Sequence, residues 1–369
     1  MQVRAVLVEE SIRLILDNQA DSGAYLASPG FAPYRYAWLR DGTFTAYAMN
    51  RVNLHGSARR FYLWCDRTLR KHADKAYAAI AEAKKRTGER GGSCHFLLHA
   101  RYTVEGDEVG GEWGSFQLDG YGTWLWGLAE HVRISGERDL LEKLSFSIGL
   151  TLDYLEACWQ LPNFDCWEEA GDSVHLSTLA AVYGGIKTME THVPERADTL
   201  SRLAEEIRQY VRQHGVAEER FVKSVGNPAV DASLLWLSVP FGLAEAKDPV
   251  MVRTVERIER ELVTGYGVHR YAGDTYYGGG EWPLLSAWLG WYYARTGKRS
   301  QAREILEWIE SKKLPEGLPE QAADHLLAPS CYSQWWEREG RPAVPLLWSH
   351  AMYLVLAAEL GLADSGHGN

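Results

Sequence analysis

The sequence has few cysteines. Five are scattered at positions 65, 94, 158, 166 and 331 with no paired spacing, so they read as reduced thiols of a cytoplasmic protein. No apolar run reaches the roughly 18 residues a membrane-spanning helix needs. Positive charge is not in excess either: 39 Lys and Arg face 49 Asp and Glu, a net charge of −10. That balance argues against nucleic acid, whose phosphates must be neutralised, and against an anionic membrane surface. A phosphate-cradling glycine motif is missing. Strand-like alternation is scarce, with "HFLLHARYTVEG" and "ERFVKSV" the best short stretches. The N-terminal "MQVRAVLVEESIRLILDNQ" lacks a small-residue cleavage site and carries Glu9 and Glu10 inside its apolar pattern, so it reads as an amphipathic helix and not as a signal peptide.

Aromatic residues are abundant instead: 15 Trp and 19 Tyr in 369 residues that are 46% apolar. They suit either a Trp-rich core or a pocket that presents ring faces to the C–H surfaces of a hydroxylated ligand. Apolar residues recur at helical spacing almost throughout. The pattern predicts helices over 3–18, 42–53, 56–85, 119–135, 138–160, 174–190, 195–214, 231–245, 249–263, 282–297, 299–312 and 347–361. Asp231 is the expected N-cap of the eighth. Links after the even-numbered helices are short. Those after the odd-numbered ones are longer and rich in Gly, Trp, Tyr and acids. Two classes of connection therefore emerge at opposite ends of the packed helices. Six helical hairpins closed into a ring, an all-α (α/α)6 barrel, would gather the long loops around one mouth. A linear solenoid is the competing arrangement, weakened by the lack of a fixed-length repeat.

The long loops hold the chemistry. "YRYAWLRDG" sets Arg40 and Asp41 behind Tyr34 and Trp38. An isolated Arg-Asp at a helix start is usually an N-cap with a neighbouring arginine, but here the pair can also donate to and accept from sugar hydroxyls. "GGEWGSFQLDGYG" offers Trp113, Gln117 and Asp119, the last equally suited to capping the next helix. "NFDCWEEAGDS" packs Asp165, Trp167, Glu168, Glu169 and Asp172 into eleven residues. Trp167 is expected to shield Glu168 from water and raise its pKa, with Asp165 and Glu169 pushing the same way as like charges. A solvated acidic turn would need no distant partner. "LPEGLPEQAAD" supplies one in Glu320, and two carboxylates across a sugar ring are what glycoside hydrolysis requires. "GVHRYAGDTYYGGGEW" adds Arg270, Asp274, Tyr276, Tyr277 and Trp282 in a glycine-rich frame.

Taken in order, "YRYAWLRDGTF", "DCWEEAGDSVHLST", "RYAGDTYYGGGEW" and "LPEQ" followed by "PLLWSHAMYL" resemble the substrate and catalytic loops of the glucoamylase-type glycoside hydrolases, family 15. The resemblance spans about residues 30 to 360. It implies the (α/α)6 barrel, an inverting mechanism without metal or organic cofactor, Glu168 as general acid and Glu320 as general base. It implies that Tyr34, Trp38, Arg40 and Asp41 hold the terminal glucose, while Trp167, Glu169, Arg270 and Trp348 contact that unit or the next. The expected substrate is a short α-gluco-oligosaccharide, with isomaltose favoured and α-1,4 linkages admitted.

The chain is expected to be one catalytic domain over 1–369, without the β-sandwich common in bacterial members or a carbohydrate-binding module. A trehalase or phosphorolytic relative, and a catalytically silent sugar-binding protein, stay open as alternatives. Cys94, His95 and His99 in "CHFLLH" have helix-compatible spacing, but no metal site is expected there.

Overall fold

The computed structural model describes residues 2–85 and 97–363. Fourteen α-helices follow one another in those residues: α1 Gln2–Asp17, α2 Leu39–Arg51, α3 His55–Lys71, α4 Ala73–Lys85, α5 Asp119–Ser135, α6 Asp139–Lys143 and α7 Ser145–Cys158; then α8 Leu176–Met189, α9 Ala197–His214, α10 Pro249–Leu262, α11 Pro283–Arg295, α12 Arg299–Ser311, α13 Pro329–Glu339 and α14 Leu347–Glu359.

Two kinds of helix are distinguishable by which faces are apolar. The segments of α5, α8, α11 and α14 are buried on nearly every side. By contrast α9 buries only Leu200, Leu203, Ala204, Ile207 and Val211, a single stripe at helical spacing, and α12 buries Ala302, Ile305, Leu306 and Ile309. A helix that is apolar all round must sit inside; a one-striped helix must sit outside it. The packing follows this rule. Helix α2 lies against α5, α5 against α8, α8 against the short 3-10 helix Ala232–Leu237, that element against α11, α11 against α14, and α14 back against α2. This closed inner ring excludes the solenoid. Helices α1, α3, α7, α9, α10 and α12 pack outside it. Approach between α5 and α8 is close enough to need glycine: a Cβ on Gly122 would lie 2.4 Å from the Ala181 carbonyl oxygen, and one on Gly185 2.4 Å from that of Gly122.

Four differences from the sequence-based expectation are informative. The helix expected over 231–245 is only the 3-10 turn 232–237; Pro240 lacks the N–H a continuing helix would use, and the residue before a proline avoids helical angles. Asp231 does cap it, accepting from the Ser233 N–H at 2.9 Å. The segment 56–85 divides at His72, and 138–160 divides at Leu144. Helix α13 has no counterpart among the expected helices; it stands inside the sixth long loop. Of the strand-like stretches, Arg101–Tyr102 pairs antiparallel with Ala37–Trp38, and Arg220–Phe221 with Val216–Ala217. The first pairing matters, because it ties the second long loop to the first.

Each long connection leads into the N-terminal end of an inner element. Arg40 and Asp41 open α2, Asp119 opens α5, His175 precedes α8, Asp231 caps the 3-10 helix, Trp282 precedes α11 and Trp348 opens α14. All six N-terminal ends therefore converge on one mouth.

Candidate active site

At that mouth lies a cavity of about 410 Å³. Twelve of the residues expected from sequence line it: Tyr34, Trp38, Arg40, Asp41, Trp113, Trp167, Glu168, Glu169, Arg270, Trp282, Glu320 and Trp348. Gln117 and Asp119 do not. They stand behind Arg40, whose Nη1 donates to Gln117 Oε1 at 2.6 Å and to Asp119 Oδ2 at 3.0 Å. Arg40 is 4% exposed and lies 5.3 Å from the Trp348 ring centroid. Its Nε is 3.3 Å from Asp41 Oδ2. Burial pushes the Asp41 carboxyl up to about 7, against the pull of Arg40, and the nearby Glu168 adds to the push.

Glu168 sits in a loop whose backbone is held from below. Asp165 Oδ1 accepts from the N–H groups of Trp167 and Glu169, each at 2.9 Å, and the Glu168 N–H donates to the Asp165 carbonyl at 2.9 Å. These bonds hold Glu168 at φ +68°, a left-handed conformation that costs a non-glycine residue energy and recurs at functional sites. The loop also passes over Gly114, where a Cβ would come within 2.7 Å of the Glu168 carbonyl oxygen.

The aromatic partner of Glu168 is Trp38, from the first loop, whose indole N–H donates to Oε1 at 2.7 Å. Gln117 Nε2 donates to the same oxygen at 3.1 Å. No donor among the described residues reaches Oε2. Trp167, expected as the shield, turns its indole N–H to Asp231 at 3.1 Å and packs on Trp282 and Trp288. Asp165 likewise turns Oδ1 to the backbone donors and sets Oδ2 3.6 Å from Lys223 Nζ. The indole that hydrogen-bonds Glu168 thus comes from across the cavity, not from the neighbouring position in the turn.

Glu320 is fully enclosed, 1% exposed. Burial pushes its carboxyl up to about 7, while Tyr34 and Tyr276 hold it lower than burial alone would. The Tyr34 hydroxyl donates to Oε1 at 2.9 Å, the Tyr276 hydroxyl to Oε2 at 3.3 Å, and the two hydroxyls are 3.1 Å apart. A group poised near neutrality suits a general base. Arg270 grips Asp274 with both arms, at 2.7 and 2.5 Å, and reaches Glu169 Oε1 at 3.3 Å; Tyr271 donates to Glu169 Oε2 at 2.5 Å.

Tyr276, picked out from the glycine-rich fifth loop, lines the cavity as well, and so do Trp335, Arg338 and Glu339, which sequence reasoning does not assign to it. The other three come from α13, where the guanidinium of Arg338 lies 3.7 Å over the Trp335 ring. Among the described residues no cluster of three His, Cys, Asp or Glu side chains has metal-binding geometry. Of the "CHFLLH" stretch, Cys94 and His95 lie outside the described residues. No described helix is long and apolar enough to cross a membrane.

Two acids on one cavity, each with its own donors, fit many hydrolases; the family is decided by comparison. The sequence model of Glycosyl hydrolases family 15 matches residues 3–358. The chain is a family 15 glycoside hydrolase. It is 41% identical to the isomaltose glucohydrolase of Kribbella flavida over 366 residues, covering 96% of this chain and 93% of that protein. A glycosidase variant solved in complex with glucose superposes with a TM-score of 0.93 at 40% identity, covering 98% of both chains. A bacterial glucoamylase complexed with acarbose superposes at 0.75 with 18% identity, over 97% of this hydrolase and 55% of that chain. The closed ring of this family 15 hydrolase is thus the (α/α)6 barrel.

Proposed function

We propose that this hydrolase is an inverting, exo-acting α-glucosidase that releases β-D-glucose from the non-reducing end of short α-gluco-oligosaccharides. Isomaltose-type α-1,6 linkages are favoured and α-1,4 linkages are admitted. One observation carries the reading: Glu168 and Glu320, from the third and sixth long loops, border one cavity that opens among tryptophans and a buried Arg–Asp pair. As general acid, Glu168 would carry its proton on Oε2, which no donor among the described residues reaches. It passes that proton to the glycosidic oxygen as the C1–O bond breaks. Glu320, ionised and aligned by Tyr34 and Tyr276, takes a proton from water as the water oxygen bonds C1 from the opposite face. One water enters, the aglycone leaves with the proton from Glu168, and the new hydroxyl is β.

Arg40 and Asp41 would hold the terminal glucose by its hydroxyls, with Gln117 and Asp119 orienting Arg40 from behind. Trp38, Trp113, Trp167, Trp282 and Trp348 would face its C–H surfaces, and Glu169 and Arg270 would contact that unit or the next. The α-1,6 preference is supported by the similarity to the Kribbella enzyme over nearly the whole chain. We also read residues 1–369 as a single catalytic domain.

The test is a panel of isomaltose, maltose and trehalose, with and without phosphate, read by NMR of the first product formed. Isomaltose turnover yielding β-glucose is expected. Initial α-glucose would refute inversion, phosphate dependence would mean phosphorolysis, and preference for trehalose would move the specificity. Glu168→Gln and Glu320→Gln should each cut turnover by about 100-fold or more.

A further inference from the structure

Behind the acid loop, on the side away from the cavity, a single ammonium occupies an acidic pocket. Lys223 follows the hairpin strand Arg220–Phe221 in the fourth long loop, and its carbonyl accepts from Leu176 N–H at the start of α8. The side chain is 11% exposed. Its Nζ lies 3.0 Å from Asp231 Oδ2, 3.6 Å from Asp165 Oδ2 and 3.7 Å from the Tyr271 ring centroid. These three neighbours are the ones that hold residues 167 to 169. Asp165 takes the backbone N–H groups of Trp167 and Glu169, Asp231 takes the Trp167 indole N–H, and Tyr271 donates to Glu169. Among the described residues no hydrogen-bond donor reaches Asp165 Oδ2, so the ammonium is what balances its charge.

We infer that Lys223 is a positioning residue for the proton donor: it keeps Asp165 and Asp231 ionised together, and through them fixes the left-handed loop that presents Glu168. This rests on the reading of Glu168 as general acid. Two carboxylates this deeply buried cannot both stay charged without a cation between them. Other charged or titratable groups facing the cluster are Glu169, Arg270, His175, Cys166 and Tyr271. None replaces Lys223: Arg270 is taken by Asp274 and Glu169, and His175 Nε2 is 3.0 Å from the Ala170 carbonyl. Burial already raises Asp165 to about 6 with the lysine present.

Without Lys223 one proton must be shared by Asp165 and Asp231. That raises the folded-state pKa of the pair above its unfolded value. The arrangement then persists at acid pH and is lost as pH rises through the raised value.

The experiment compares Lys223→Met with the wild type on isomaltose and on α-D-glucosyl fluoride across pH. Fluoride leaves with little protonic help, so it reports binding and the base but not the donor. Expected for the variant is a roughly 10- to 100-fold lower kcat on isomaltose, a loss that deepens toward alkaline pH, little change in KM, and nearly unchanged glucosyl fluoride turnover. The double variant Asp165→Asn with Lys223→Met removes one charge of each sign, and the amide oxygen it places at position 165 still accepts from the same two backbone N–H groups. It should recover isomaltose turnover to within about threefold. Equal losses on both substrates, no loss at all, or a folded double variant that stays slow on isomaltose would each overturn the inference. Should the single variant not fold, the double variant decides alone. Failure of the underlying reading shows separately, as a Glu168→Gln enzyme that still hydrolyses isomaltose.

Discussion

Replacing Glu320 by Gln should cut turnover by about 100-fold or more and at the same time make the protein more stable, by an amount that grows with pH. A carboxyl lifted from an ordinary 4.5 to about 7 by burial prefers the protonated form in the folded state. The folded pKa is above the unfolded one, so this group's contribution is most favourable below the unfolded value and is lost as pH rises through about 7. Fully developed, the loss is about 3 kcal/mol, since each pH unit between the two values corresponds to about 1.4 kcal/mol. At pH 5 it is below about 1 kcal/mol, and by pH 8 it is nearly complete. Glutamine keeps the shape and the carbonyl acceptor but cannot ionise. Unfolding entropy for 369 residues is about 0.8 kcal/mol/K, so 3 kcal/mol corresponds to about 4 °C in Tm. The assay is thermal unfolding of wild type and E320Q at pH 5 and pH 8. The Tm difference, variant minus wild type, should widen by about 3 °C between them. If it stays constant, Glu320 is not held protonated by its burial, and its assignment as a base tuned to neutrality loses its physical ground.

Other outcomes follow from the same contacts. The rate kcat/KM should fall about tenfold per pH unit below about pH 7 as Glu320 takes up its proton, and Tyr34→Phe should move that fall upward by roughly one pH unit, since a hydrogen bond to a charged group is worth about 1.5 kcal/mol or more; pH–rate profiles of the two enzymes check this. Gly114→Ala should push on the Glu168 carbonyl and the Phe164 ring, destabilising by about 1–3 kcal/mol and lowering kcat, as read by denaturant melts and turnover. Trp38→Phe keeps the ring but loses the 2.7 Å donor to Glu168, and should depress kcat on isomaltose more than on glucosyl fluoride.

Much of the architecture is legible in periodicity because burial leaves a mark on composition. A helix such as Pro283–Arg295 is apolar all round and a helix such as Ala197–His214 carries one stripe, and that difference alone assigns them to the inner and outer rings. Where local pattern and backbone chemistry conflict, the pattern misleads. "DASLLWLSVPFGLAE" is apolar enough for a helix, yet Pro240 ends it early. Helix α13 buries no residue completely, and its Trp335 is held by the fifth loop's Tyr276 and Tyr277, so its sequence carries no core-facing stripe to read. The site divides in the same way. Loop residues of chemical character could be picked out singly, and twelve of them do meet at one cavity.

Residue type and spacing thus determined which side chains were available, that helices would pair in two layers, and at which end the loops would gather, because each of these depends on burial periodicity and connection length. Only the tertiary structure decided partnership. Trp38 serves Glu168 while the adjacent Trp167 serves Asp231, Gln117 and Asp119 stand behind Arg40, and one lysine from a loop with no catalytic pattern balances two buried aspartates. Hydrogen bonds and charge compensation act across a few ångströms of space, and those distances are set by how the ring closes, not by the order of residues along the chain.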